Sequence, residues 1–129
     1  MRRIIVCGSR DWSDMALVVQ TLGGIQRTSG PFVLVHGDCT TGADRLASRW
    51  ARVNGVKEEP HSADWEAFGR AAGPRRNREM AQLGAALCVA FWDGVSRGTA
   101  DMIRCAREAG IAVRIVAPKS VPYDPEAFA

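Results

Sequence analysis

Short, continuous apolar runs alternate along the chain with stretches whose apolar positions recur every three or four residues. The runs Ile4–Cys7, Phe32–Val35, Ala86–Phe91 and Ile111–Val116 read as strands buried on both faces. The segment Val56–Ser62 is polar and contains Pro60, so it belongs at a sheet edge, where a missing N–H is tolerated. Met15, Val18, Val19, Leu22 and Ile25 form one helical stripe, with Ser13 as the expected N-cap. Ala43, Leu46, Ala47, Trp50 and Ala51 fall at i, i+3, i+4, i+7 and i+8, an amphipathic helix. Pro74 opens a third helix with Met80 and Leu83 facing in, and Ala100–Ala109 forms a fourth. Gly30-Pro31, Asn54-Gly55 and Gly110 end their units. Ala63–Gly73 reads as a long connection, and 118–129 as an irregular tail.

Five strands alternating with four helices define an α/β fold, a doubly wound parallel sheet with the expected order 3-2-1-4-5. Residues 1–117 make up one domain, with no internal repeat and no second domain. The order puts a topological switch between the first and fourth strands. Ligands of such sheets sit beyond the carboxyl ends of the strands at that point.

Composition narrows the picture modestly. A chain of 129 residues with 47% hydrophobic and 24% charged residues is an ordinary globular domain that needs no staple. Its net charge of +3 suits an anionic ligand without demanding a nucleic acid. Cys7, Cys39, Cys88 and Cys105 form neither a CxxC pair nor a zinc-spaced cluster, so neither a metal nor a cofactor is expected. Cys7 and Cys88, inside apolar runs, read as buried small hydrophobes in a reducing, cytoplasmic setting. The first apolar run is too short for a signal peptide or a membrane span.

Three loops leave the carboxyl ends of the strands. In the first, Gly8 lets backbone approach a ligand, Ser9 offers a hydroxyl, Arg10 a guanidinium fork and Trp12 a stacking surface. In the second, His36 and Gly37 lead to Thr41 and Gly42 at a helix start, an anion-binding geometry, with Asp44 in the first turn. His36 is a candidate base or ribose contact. The third loop is the most specific: Asp93, Gly94, Ser96, Arg97, Gly98 and Thr99 supply glycines, hydroxyls and an arginine suited to a phosphate cradle. Between the second and third, Arg75, Arg76, Asn77 and Arg78 begin a helix. Cations there oppose the macrodipole and call for an anion or an acidic neighbour. Trp65 adds an aromatic wall. No GxGxxG follows the first strand, and no GxxxxGK[ST], GxSxG or HExxH occurs.

Taken in order, GSRDW, HGDCTTGAD, ADW, AAGPRRNREM and FWDGVSRGTADMI resemble the SLOG superfamily of Rossmann-like nucleotide-ligand proteins, and within it the YspA-like group. The resemblance covers nearly the whole chain up to Val116. It implies a nucleotide-type ligand and a homo-oligomer. Relatives include the LOG-type phosphoribohydrolases, with an Arg-Lys-x-x-Met segment and a Gly-Gly-x-Gly-Thr-x-x-Glu segment. Arg76-Asn77-Arg78-Glu79-Met80 matches the first apart from Asn77, and Arg97-Gly98-Thr99 matches the middle of the second. The resemblance thus implies Arg76 and Asp101 as candidate catalytic residues. The position of the family's glutamate is Met102, however, and Asp101 is only the nearest acid. Glycoside cleavage passes through an oxocarbenium-like state that needs a placed carboxylate, which Met102 cannot supply.

Three functional expectations follow, in rank order. The first is binding of a nucleotide or nucleotide-derived signal at the carboxyl edge of the sheet. The second is a nucleoside 5′-monophosphate phosphoribohydrolase, in which Asp101 or Asp44 replaces the glutamate. The third is single-stranded nucleic-acid binding, as the resemblance extends to the DNA-processing protein A and Arg70, Arg75, Arg76 and Arg78 lie near Trp65.

Overall fold

A computed structural model describes residues 1–119. Among them one five-stranded sheet, all parallel, runs in the order β3-β2-β1-β4-β5. The strands are β1 (Arg2–Gly8), β2 (Phe32–His36), β3 (Lys57–Pro60), β4 (Leu87–Phe91) and β5 (Val113–Val116). The helices are α1 (Met15–Ser29), α2 (Gly42–Val53), the single turn α3 (Trp65–Phe68), α4 (Ala72–Gln82) and α5 (Arg97–Glu108). The fold class and strand order expected from the apolar runs are therefore the ones observed.

Strand parity sorts the core into two layers. Ile4, Val6, Leu34, Val89 and Phe91 face α1 and α2, where they meet Val18, Leu22, Ala47 and Trp50. Ile5, Cys7, Val35, Cys88 and Ala90 face α4 and α5, where they meet Met80, Met102, Ile103 and Ala106. Cover on both faces is why β1, β2 and β4 read as unbroken apolar runs. The polar β3 lies at an edge, as Pro60 required.

Several element ends differ from expectation. The α1 N-cap is Asp14, not Ser13: its side chain accepts from the Leu17 amide. Val19 is exposed, because the stripe through Val18, Leu22 and Ile25 leaves it one step round the helix. Leu83 is also exposed, as it caps α4 rather than facing in. α4 begins at Ala72, which places Pro74 within its first turn rather than at its start. The connection Ala63–Gly73 contains α3 and a 3₁₀ turn, Gly69–Ala71. α5 starts three residues early, at Arg97. The cause is Asp93, whose Oδ1 accepts from the Val95 and Ser96 amides at 2.8 Å and turns the chain into the helix. Pro118 and Lys119 carry no regular structure, and the rest of the expected tail, 120–129, lies outside the described residues. No helix among the described residues is long and apolar enough to cross a membrane.

Candidate ligand-binding cleft

β1 and β4 are adjacent in the sheet, and their connections leave toward opposite faces, so the loops after them part and leave a gap. Gly8 makes this junction close. A Cβ there would lie 2.5 Å from both the Phe91 carbonyl and the Ala43 Cβ. Gly42, at φ +72°, brings the start of α2 against the first loop, where the Ala43 amide donates to the Ser9 carbonyl at 3.2 Å. That hydrogen bond takes the Ala43 amide, so this amide is not available to an anion.

The gap opens into a cleft with two lobes. The inner lobe, about 160 Å³, has Cys7, Met80 and Met102 as its floor. Gly8, Gly37, Cys39 and Asp44 form one wall, and Asn77, Ser96, Gly98 and Thr99 the other. The outer lobe, about 320 Å³, lies between the second loop and Trp65. Arg10, Gly37, Cys39 and Arg76 line both lobes. Together the lobes reach the size of ordinary small-molecule sites, about 300–1,000 Å³.

Arg76 is the best-held charge in the cleft. Its Nη1 donates to the Gly37 carbonyl at 2.6 Å and its Nε to Asn77 Oδ1 at 3.0 Å. Asn77, itself buried, donates to Asp101 Oδ2 at 2.9 Å. Gly37 leaves room for this seat: a Cβ there would lie 2.7 Å from Arg76 Nη1 and 3.1 Å from Asp44 Oδ2, so a side chain would displace the guanidinium. Among the described residues neither Arg76 nor Arg10 has a carboxylate within ion-pair distance.

Asp44 is 6% exposed and lines the inner lobe. Burial pushes its carboxyl up, against hydrogen bonds from Cys39 and the positive charge of Arg76. Burial and Asp44 in turn push the Cys39 thiol up to about 11. Opposite, α5 starts without a side-chain cap, since Ser96 Oγ lies 3.1 Å from Thr99 Oγ1 instead of on a backbone amide. The cleft therefore has a carboxyl at the α2 side, two guanidiniums in the middle and an uncapped helix start at the α5 side.

Other residues expected in the site lie elsewhere. Trp12 is buried in the core, tilted against Phe91 at 5.5 Å. Ser9 is 1% exposed and braces the loops, its Oγ accepting from the Asp93 amide at 3.2 Å. His36 is also structural: Nδ1 accepts from the Asp38 amide at 3.0 Å, and Nε2 reaches Glu58 at 3.1 Å. Burial works against ionisation of Glu58, but hydrogen bonds from Ser48, His36 and Arg52 outweigh it and hold the carboxyl low. Arg75 stacks over Phe68 at 3.9 Å instead of entering the cleft. Asp93 is the α5 turn-maker, and Gly94 and Arg97 are exposed outside both lobes. Asp101 also lies outside the lining, tied to Arg104 and Asn77, while its neighbour Met102 turns inward. Trp65 and Thr41 line the outer lobe.

In the outer lobe Asp38, Thr40, Ser62 and Ala63 were absent from the expected set, and in the inner lobe four lining residues were: Cys7, Cys39, Met80 and Met102. Cys39 carried a signal, since it sits within the second loop. The other three are apolar and follow the core period, which does not reveal a cavity floor. Among the described residues no group of His, Cys, Asp or Glu side chains is arranged to hold a metal.

A five-stranded parallel sheet with its cleft at the β1–β4 switch defines a Rossmann-like α/β domain. Residues 2–68 match the model of the YspA, cpYpsA-related SLOG family, and the chain belongs to that family. It is similar to the Gene 61 protein of Mycobacterium phage D29, 44% identical over 119 residues, which cover 88% of this chain and 94% of that protein.

Proposed function

We propose that the protein binds a nucleotide or nucleotide-derived signalling ligand in this cleft, with a phosphate between Arg76 and the start of α5. The observation that carries the reading is Arg76: a half-buried guanidinium held by neutral acceptors, facing a cavity, with no carboxylate paired to it among the described residues. Such a cation suits an anion, and the first turn of α5, which lines the same lobe at Gly98 and Thr99 and has no side-chain cap among the described residues, adds the backbone amides of a helix start. Asp44 repels phosphate, so the α2 side suits a sugar hydroxyl, which a carboxylate accepts from. Family membership supports a nucleotide-related role of this kind.

Thermal shift against a panel of nucleoside mono-, di- and triphosphates, cyclic nucleotides and ADP-ribose tests the reading. A ligand at about 100 times its Kd adds roughly 2.7 kcal/mol, a clear rise in Tm. At least one phosphate-bearing nucleotide should stabilise the wild type, and Arg76→Ala should lose that response. No stabilisation by any of them at millimolar concentration would sink the proposal.

A second reading, hydrolysis of a nucleoside 5′-monophosphate, has one observation in its favour. Asp44, not Asp101, is the carboxyl lining the inner lobe, and burial has raised its pKa, as in acids that donate a proton. Free base released from a nucleoside monophosphate, lost in Asp44→Asn and retained in Asp101→Asn, is the outcome this reading requires.

A further inference from the structure

The outer lobe differs in kind from the inner one. Its distinguishing feature is Trp65, a large aromatic that is 50% exposed on a single helical turn. An indole left half in water normally costs burial energy, so its position calls for a partner. Its outer edge rests on α4 at Gly73, where a Cβ would lie 3.2 Å from Cη2, so the absence of a side chain there seats the ring. The Arg10 guanidinium lies over the ring at 5.9 Å from its centroid, near the outer limit for a cation–π contact. Arg10 itself is exposed and lines both lobes. The far side of the lobe is hydrogen-bonding surface: Ser62 Oγ donates to Asp38 Oδ2 at 2.6 Å, and Thr40 and Thr41 stand beside them.

A flat π surface beside polar groups, linked through Arg10 to the inner lobe, matches a nucleobase in form. We propose that Trp65 is the stacking platform for the base of the ligand, and that Arg10 leaves the ring to meet the ligand's phosphate when the base arrives. The inference rests on the reading of the cleft as a nucleotide site and adds to it which lobe takes which end. Both arrangements use Arg10. Over Trp65 it makes a long, solvent-exposed contact that a base can replace; toward the inner lobe it joins Arg76 around one anion. Stacking is sequence-tolerant, because every base has a π face, so this lobe supplies affinity for a base more than choice among bases.

The experiment compares the wild type, Trp65→Ala and Trp65→Phe by isothermal titration with AMP, ADP-ribose and ribose 5-phosphate. Trp65→Ala should weaken the two base-bearing ligands about tenfold or more and leave ribose 5-phosphate unchanged. Trp65→Phe should retain most of the affinity, while the quenching of tryptophan emission by AMP is lost. Trp65 lies outside the core, so the unliganded Tm should stay within a few degrees of the wild type for Trp65→Ala and closer to it for Trp65→Phe. AMP binding unaltered in Trp65→Ala, or ribose 5-phosphate weakened as much as AMP, overturns the inference while leaving the nucleotide reading in place. A wild type that binds none of the three probes and no nucleotide of the thermal-shift panel overturns the nucleotide reading itself, and this inference with it.

Discussion

Asp44 is a position whose burial works against stability. The carboxyl is buried beside the cleft with no cation at ion-pair distance among the described residues, and burial pushes its pKa above the ordinary value. A group whose pKa is higher folded than unfolded contributes stability below its unfolded value, and that contribution is lost as pH rises through the folded value. Asn at this position keeps an acceptor for the Cys39 amide and removes the ionisation. Asp44→Asn should therefore melt a few degrees above the wild type near neutral pH, and the advantage should disappear below the carboxyl range, where the wild type is also neutral. Calorimetry at several pH values checks this, and a lower Tm at neutral pH would mean that the contacts to Cys39 and Arg76 outweigh burial. The two tryptophans of the loops mark what single residues reveal in sequence. Asp11-Trp12 and Asp64-Trp65 look alike locally, and the first suggested a stacking surface and the second an aromatic wall. Trp12 went into the core against Phe91 and Trp65 stayed half in water, because the path of each loop over the sheet, not its composition, decides burial.

At the level of elements, the strands were legible and the helix starts were not. Strands buried on both faces carry their signal in every residue, and so β1, β2 and β4 appeared with nearly their true ends. A helix start is set by hydrogen bonds from a loop. The Asp93 turn that begins α5 at Arg97 leaves no periodic trace, and α3, at four residues, is too short to have a period. Two glycines in these connections separate backbone strain from close packing. Gly94, at φ +86°, has open space where a Cβ would go, so Gly94→Ala should cost only the left-handed strain, about 1–2 kcal/mol. Gly42, at φ +72°, would also place a Cβ 2.3 Å from the Ser9 carbonyl, so Gly42→Ala should lose about 3 kcal/mol or more. Urea unfolding of the pair measures the difference. Equal losses would show that the Ser9–Arg10 backbone gives way and that the α2–loop junction is softer than its packing.

Over the whole molecule, the central strand is tied to one edge of the sheet by charge. Arg3 on β1 donates to Glu59 on the edge strand β3 and to the Gly84 carbonyl after α4, and His61 lies 2.8 Å from the same carboxylate. The Arg3 hydrogen bonds, with help from His61, hold the Glu59 carboxyl at about 2. A depressed carboxyl pKa contributes stability above the unfolded value that is lost as pH falls through the folded one, here from the ordinary glutamate range down to about 2. The side chain is 37% exposed, so solvent and salt screen the contribution and keep it modest. Glu59→Gln should lower stability slightly at neutral pH and flatten the dependence on pH across that acid range, and 0.5 M salt should shrink the difference between the two proteins. Among the described residues β3 pairs only with β2, yet Arg3 bridges past β2 to reach it, so loss of this charge should be felt by the sheet as a unit. Acid unfolding followed by far-ultraviolet circular dichroism and by tryptophan emission should then give one shared midpoint, as a single cooperative domain requires. Trp50 packs on Phe32 in the sheet core and Trp65 stands near the β3 side of the cleft, so an edge that detached first would shift emission before ellipticity, and separate midpoints would show that the bridge does not couple β3 to the rest.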